Sequence, residues 1–521
     1  MPTARRYAWA LAWALALVPA LGMPACTKDQ PPAPATEPAE PAEPAEAKAT
    51  ATCRDWSTLD QGGLPPLTEG KHAALLDQVW WRVLEKHYDP TLGCLPWGAL
   101  REDYARKVAE ARTDAQAHAL INAMLGELGQ SHLRLFPPTP AEDTPGPAAP
   151  DLTVRWVEDQ LVVVRSQADG PQGPVLPGAV LHAINDQPVE ALVDEVRART
   201  AAHEFDREIA RAVAARLSCE QEGQVKKLKV TNPAKDGRMA VRVVSCVIPP
   251  GERVTLGNLR DIPTRVEHRM LEGKVGLLAF NVWMLPMVKQ VQVAMESLRA
   301  EGMRALVLDL RGNPGGVGAM VVPVARLMLP EEGSLGTMRF RDFEQELNVE
   351  HVEGAFTGPV AVLVDEGTAS TSEIFAVGMR DRGRIKVVGA RPSAGAALPS
   401  VIEELQGGAL LQYVVADYRS PNGTVVEGKG IEPDVVVTET RADFEAGRDP
   451  VLAAAQALLL EAAGSEPAGS EVAGSEPAGS EPAGSEPAEP QPSSGDSDDA
   501  APSPTPTPTP TPIPTKDEPP G

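Results

Sequence analysis

From Lys274 onward, short apolar runs alternate with helix-forming stretches, and this alternation does most to limit the folds open to the chain. The runs are VGLLAF, ALVLDL and PVAVLV, with helical patterns at about 287–301 and 318–329 and a last helix from Pro450 to about Ala463. Strands that are apolar on both faces are covered on both faces, and helices between them carry the chain back so that the strands pair in parallel. The expectation is an α/β domain over residues 252–463.

The densest part of that domain is Pro359 to Ser400, PVAVLVDEGTASTSEIFAVGMRDRGRIKVVGARPSAGAALPS. It reads as a buried strand, a tight turn, a helix, a second strand and a glycine-rich loop. Ser370 falls where the strand feeds the helix, so its hydroxyl can stand at the carboxyl edge of the sheet beside free helix-terminal N–H groups, a good position for a nucleophile. The letters Ser370-Thr371-Ser372-Glu373 equally spell a capping box with Ser370 as N-cap, and locally both readings stand. After ALVLDL comes Arg311-Gly312-Asn313-Pro314-Gly315-Gly316. A glycine pair between a buried strand and a helix lets backbone N–H groups face one point. The turn lacks the Lys-Ser/Thr ending of a Walker loop, which argues against nucleotide binding. It suits an anion hole for a reaction intermediate, or a plain turn.

The rest of the chain frames this domain. Residues 1–26 have the order of an export signal, with Arg5 and Arg6, an apolar run, then small residues ending at Cys26. The segment resembles a bacterial lipoprotein signal, which implies a lipid on Cys26 and a cell-envelope location; Pro24 departs from the usual box, and without lipidation the protein is secreted. Residues 27–66 are a Pro/Ala/Glu-rich linker, and residues 464–521 a low-complexity tail of AGSEP and Pro-Thr repeats. The net charge of −24 comes largely from such segments, so nucleic acid is not an expected partner. Export makes the four remaining cysteines candidates for pairing, and proximity favours Cys53 with Cys94 and Cys219 with Cys246, separate buried thiols being the alternative.

Residues 67–140 show helical periodicity, closing on GELGQSHLRLF, where Gly129 breaks the helix and Ser131-His132 follows. A histidine there is usually a solvent-facing or capping residue, yet the chain has only 8 histidines, so candidates for a general base are few. Residues 151–247 form a second module of short strands and two helices. Its strand-turn-strand from Gly178 to Val189 resembles the carboxylate-binding core of PDZ domains, which bind an extended peptide at a sheet edge. A small structural module without peptide affinity fits the same residues. After the 359–400 stretch, LLQYVVADYR and TVVE read as strands joined by a hairpin turn at Asn422-Gly423.

LVLDLRGNPGG, followed by VLVDEGTASTSEIFAVGMRDRGRIKVVG, resembles the C-terminal processing peptidase and tricorn-core family of serine peptidases. The resemblance runs from about Leu67 to Leu458. It implies an α/β catalytic domain of the Clp protease/crotonase-like type, with a helical N-terminal domain and a PDZ-like insert, and places Ser370 at the nucleophile. The processing proteases use a lysine base carried by a loop after the second strand. Here that loop is Arg391 to Ala397, with Gly395 at the lysine's place, and Lys386 lies within a strand. The tricorn-like branch instead uses a histidine from a Leu-Gly-x-Ser-His segment and a glutamate before Gly-x-x-Pro-Asp, matched here by Ser131, His132 and Glu427. By this resemblance His132 is the general base, Ser131 and Glu427 hold it, and the oxyanion hole is the N–H of Gly315 or Gly316 with that of Thr371. Thr371 departs from the acidic residue that tricorn carries there.

The expectation is therefore an exported serine endopeptidase acting on peptides or proteins through an acyl-enzyme, without cofactor or metal. Retinoid-binding proteins of the eye resemble the same fold without being peptidases, so a non-catalytic peptide- or lipophile-binding protein is the rival. An acyl-CoA enzyme of the crotonase type is a weaker one, because the Ser-His-Glu set has no function in it.

Overall fold

The computed structural model describes residues 53–138, 148–200, 204–233, 237–256 and 259–465. The leader, Cys26 and the repetitive tail lie outside the described residues. Helices α1 (Ala73–Lys86), α2 (Trp97–Ala109) and α3 (Asp114–Gly126) come first. Thr113 caps α3, its side chain accepting from the N–H of Gln116. The three helices close over Leu76, Trp80, Trp97 and Ile121, all fully buried. That core is completed by Leu405, Ala409, Leu411 and Tyr413 from far along the chain. Strand β1 (Arg134–Phe136) makes the same connection through the backbone, pairing antiparallel with residues 410–412. The helices are thereby fastened to the domain that follows, and Ser131-His132 with them.

The fold also begins earlier than a linker reaching residue 66 allows. Trp56 is buried in the helical core, Leu59 and Leu64 pack beside it, and Cys53 is disulfide-bonded to Cys94. Composition misplaces this boundary because the apolar residues are few, and one tryptophan and one disulfide suffice to fix the segment.

The next region contains β2 (Leu152–Val157), β3 (Gln160–Ser166), β4 (Val180–Ile184), β5 (Gln187–Pro188), α4 (Val189–Arg199), α5 (Phe205–Leu217), β6 (Val225–Thr231) and β7 (Met239–Ser245). The sheet runs β2-β3-β4-β6-β7, antiparallel throughout, with β5 folded onto β4. Leu181, Val196, Ile209, Val213 and Leu228 form its core under the two helices. Cys219 is bonded to Cys246. A hairpin of β8 (Glu252–Leu256) and β9 (Leu259–Thr264) leads on.

The last region holds β10 (Val266–Leu271), β11 (Val275–Phe280), α6 (Met287–Ala300), β12 (Ala305–Asp309), α7 (Val321–Ala325), β13 (Gly333–Phe340), β14 (Glu344–Val349) and β15 (Val360–Val364). It continues through α8 (Thr371–Asp381), β16 (Lys386–Gly389), β17 (Ser400–Glu404), β18 (Leu410–Val414), β19 (Ala416–Arg419), β20 (Val435–Val436), α9 (Arg441–Glu445) and α10 (Pro450–Ser465). The main sheet has the order β10-β11-β12-β15-β16-β20. All its pairs are parallel except the edge pair β10–β11. All five residues of β15 are buried, as a strand covered on both faces requires. One face packs under α6, α7 and α8, and the other under Val451, Ala455 and Leu459 of α10. Parallel pairing brings the carboxyl ends of β12 and β15, and hence the glycine turn and the Ser370 turn, side by side.

One expected strand is not formed. Residues 424–427 carry no ladder; the Ser420 hydroxyl accepts from the Thr424 N–H at 2.9 Å. Val426 is buried in the main core, and Glu427 points to the site described next. Side-chain burial, not a strand partner, sets the course of this segment.

Candidate active site

Ser370 sits between β15 and α8 with φ 56° and ψ −119°, a backbone conformation sparsely populated by residues other than glycine. Such a conformation costs about 1–3 kcal/mol and persists only where its surroundings hold it. Here the Ser370 N–H donates to the Ala396 carbonyl at 2.8 Å and to the Glu373 carboxylate at 3.0 Å. Glu373 is fully buried and also accepts from the Ser393 hydroxyl (2.6 Å), Gly395 N–H (2.7 Å) and Ala396 N–H (2.9 Å). Burial pushes its carboxyl up to about 7 against the pull of these donors. The capping box is present, so the two readings of Ser370 are not exclusive. The capping carboxylate anchors the strained turn and leaves the hydroxyl facing outward.

That hydroxyl lies 3.1 Å from Nε2 of His132. On the other side of the ring, Nδ1 is 2.6 Å from the Ser131 Oγ, which is 2.9 Å from Oε2 of Glu427. Glu427 accepts two further hydrogen bonds, from the N–H of Ser131 at 2.7 Å and that of Ala397 at 2.9 Å. Four side chains from three separate loops thus form one line. An ionised carboxylate can only accept, so the Ser131 O–H points to Glu427 and its lone pair takes the proton on Nδ1. Nε2 is left with its lone pair toward Ser370. Burial, and secondarily the charge of Arg211, hold the His132 imidazole down at about 4, which keeps it neutral at ordinary pH. Burial pushes the Glu427 carboxyl up, against the pull of its three hydrogen bonds.

The glycine turn lies against Ser370. A Cβ on Gly315 (φ 91°) would fall 2.6 Å from Cβ of Ser370 and 2.8 Å from N of Thr371, so no larger residue fits without displacing Ser370. The N–H of Gly315 is taken by the Asn313 side chain at 3.0 Å, while those of Gly316 and Thr371 make no hydrogen bond to a described residue. The Thr371 hydroxyl donates to the Gly316 carbonyl at 2.9 Å and ties the two peptides together. Trp283 braces the turn: its N–H donates to the Gly315 carbonyl, its carbonyl accepts from Val317, and its indole N–H donates to the Ser372 hydroxyl at 2.8 Å. Asn313, Trp283 and Glu373 were given no part in the site on sequence grounds. Asn313 lies within the motif and Glu373 within the capping box, but Trp283 carries no signal that sets it apart from other core aromatics.

No lysine approaches Ser370 from the loop after β16. Gly395 has φ 69°, and a Cβ there would fall 2.8 Å from N of Gly430 and 2.9 Å from N of Lys429, both backbone atoms. Lys386 opens β16 with its side chain exposed. The 391–397 loop instead receives contacts from the preceding region. Arg391 pairs with Asp206 at 2.5 Å and donates to the Trp156 carbonyl at 3.0 Å, and Arg207 donates to the Ala394 carbonyl. Arg155 of β2 is buried between Glu366, which follows β15, and Glu439, each at 2.9 Å.

Residues 274–437 match the model of Peptidase family S41. The carboxyl-terminal-processing protease of Synechocystis is 26% identical over 385 residues, covering 71% of this chain and 82% of that protein. A probable CtpA-like serine protease of Staphylococcus epidermidis is 30% identical over 169 residues, 32% of this chain and 34% of the relative, so that match spans about a third of its length. Among solved structures, mature CPAF complexed with lactacystin superposes with a TM-score of 0.51 at 12% identity, covering 74% of this chain and 97% of that one, a likeness of fold. The family match contains the glycine turn, Ser370 and Glu427. Residues 274–437 thus carry a Peptidase family S41 match, and over 71% of its length the chain is similar to a carboxyl-terminal-processing protease.

Proposed function

We propose that Ser370 is the nucleophile of an exported endopeptidase and that His132, held by Ser131 and Glu427, is its general base. The observation that carries this is the unbroken hydrogen-bond line from Ser370 through His132 and Ser131 to Glu427. In the forward step the Ser370 Oγ attacks the peptide carbonyl while Nε2 of His132 takes its proton. The imidazolium that forms is stabilised through the Ser131 hydroxyl by the Glu427 carboxylate. It then gives the proton to the departing amine, leaving an acyl-enzyme that water hydrolyses by the same route. The negative charge on the carbonyl oxygen is met by the N–H groups of Gly316 and Thr371. The Gly315 N–H is occupied by Asn313, which favours Gly316 as the second donor.

Under the same proposal the domains are a helical part that begins at about Cys53 and runs to about 140, a PDZ-like part at 151–247 and a catalytic part at 252–463. Residues 1–26 are a leader ending at a lipidated Cys26, the spacer after it ends before Cys53, and residues 464–521 are a tail. The contacts of the PDZ-like part with the 391–397 loop link it to the residues around Glu373. Two disulfides in one chain support folding in an oxidising compartment, hence export. The substrates are peptides or proteins.

The test is turnover of an internally quenched peptide. Ser370→Ala and His132→Ala are each expected to lose about ten-thousand-fold or more in kcat with an unchanged circular-dichroism spectrum. A folded Ser370→Ala protein that still cleaves ends the proposal.

A further inference from the structure

The segment that carries Ser131 and His132 is held by side chains rather than by a ladder. Among the described residues, Gln130, Ser131 and His132 make no backbone-to-backbone hydrogen bond, and His132 has φ 60°. A left-handed residue with a side chain is uncommon and persists where its surroundings hold it. Glu427 supplies one anchor, through the N–H and the hydroxyl of Ser131. The second anchor is on Gln130, immediately before Ser131. Its Oε1 lies 2.8 Å from Nε2 of His87, and its amide nitrogen donates to the Tyr88 hydroxyl at 3.4 Å.

His87 is itself firmly placed. It is fully buried at the end of α1, where its N–H donates to the Val83 carbonyl at 2.9 Å. Arg341, in the turn between β13 and β14, donates to the Leu84 carbonyl at 2.7 Å and to the His87 carbonyl at 2.9 and 2.6 Å. Nδ1 of the ring faces the Asp89 backbone, 3.1 Å from its N and 3.2 Å from its O. With the Asp89 N–H donating to Nδ1, the ring proton is on Nε2 and goes to the Gln130 oxygen. Burial holds the His87 imidazole below its usual value, so the ring is neutral in this arrangement.

Packing alone does not call for a histidine at this place. The ring stacks on Tyr88 with centroids 4.7 Å apart, a contact that a phenylalanine would also make. What histidine adds is the Nε2–H aimed at Gln130. Gln130 in turn is only half-buried, so its amide is not filling a core position. We infer that His87, acting through Gln130, is a positioning residue: it holds the loop between α3 and β1 so that Nε2 of His132 stays within reach of the Ser370 hydroxyl. The inference rests on the reading of Ser370 and His132 as the reacting pair.

The test joins turnover of an internally quenched peptide to the rate at which a fluorophosphonate labels Ser370 in the full chain, a reaction that needs an aligned base but no bound peptide. Gln130→Leu is expected to lower kcat and the labelling rate about tenfold or more with KM within about twofold, because a misplacement of about 1 Å at the base suffices for such a loss. His87→Phe is expected to fall about as far, and the double variant no further than the larger single, since both remove the same bond. His87→Gln, whose amide nitrogen can take the place of Nε2, is expected to stay within about threefold of the wild type. Wild-type labelling of Gln130→Leu, a loss expressed only in KM, single effects that multiply in the double variant, or a His87→Gln protein as slow as His87→Phe overturns the inference. If His87→Phe does not fold, the half-buried Gln130→Leu and the His87→Gln rescue decide it. Failure of the underlying reading shows separately, as labelling that persists in Ser370→Ala or is as fast in His132→Ala as in the wild type.

Discussion

Replacing Glu427 by glutamine separates the two duties of that carboxylate, accepting hydrogen bonds and carrying charge. Its Oε2 takes the Ser131 hydroxyl and the Ala397 N–H, and its Oε1 takes the Ser131 N–H. A glutamine oxygen placed at the Oε2 position keeps two of the three bonds and leaves its NH2 facing one donor, the Ser131 N–H. The opposite orientation sets the NH2 against the Ala397 N–H and makes the Ser131 hydroxyl accept from it. That would turn the hydroxyl proton toward Nδ1 of His132 and give the tautomer that cannot take the Ser370 proton. The first orientation is the better one, and the working tautomer survives at the cost of one buried donor without a partner. Such a group costs about 1–3 kcal/mol. If the loss falls on the transition state, kcat/KM drops about 5- to 150-fold. Initial rates on an internally quenched peptide, with active sites titrated by a fluorophosphonate, measure this. A Glu427→Gln enzyme within twofold of the wild type would refute the relay. One as inactive as Ser370→Ala would refute the argument that the tautomer is kept.

Other expectations follow from the same geometry. Gly315→Ala puts a Cβ 2.6 Å from that of Ser370, so kcat is expected to fall about a hundredfold or more while the melting curve stays cooperative; near-normal turnover would contradict the placement of the glycine turn. Gly395→Lys in a His132→Ala background is expected to restore no activity, because position 395 is hemmed in by the backbone at Lys429 and Gly430, and its Tm is expected to fall; recovered turnover would mean that a lysine can act here. His132 must be unprotonated to act and is held at about 4, so kcat/KM is expected to rise with pH on the acid side and to have no histidine inflection near 6.5. A pH–rate profile with its acid limb at 6.5 would place the imidazole in a far less buried setting.

The parts of the fold that local pattern carries were legible. An uninterrupted apolar run such as PVAVLV has to be a strand covered on both faces, and a glycine pair after a buried strand marks a backbone that something approaches closely. Of the candidate site, Ser370 was legible in its strand-helix turn as a nucleophile or a cap, whereas Ser131, His132 and Glu427 were legible only through the family resemblance of the segments that carry them. That Ser131 meets Glu427 across 296 residues depends on β1 pairing with β18, which no local pattern reveals. The choice between Gly315 and Gly316 was equally hidden, because it turns on which N–H the Asn313 side chain takes. Glu373 looked like a cap, and in the structure it also ties the turn to Ser393, Gly395 and Ala396. Trp283 looked like any core tryptophan. The stretch around Trp56 was misread as linker because its burial rests on one side chain and one disulfide, too little to alter local composition.

The central claim is that the Ser370 hydroxyl is activated by His132. It is tested most directly by treating the purified protein with a fluorophosphonate and mapping the adduct by peptide mass spectrometry. The expected result is a single adduct on Ser370, absent from Ser370→Ala and formed at least about a hundredfold more slowly in His132→Ala. A folded wild-type protein that takes no label, or one labelled equally fast without His132, would contradict it.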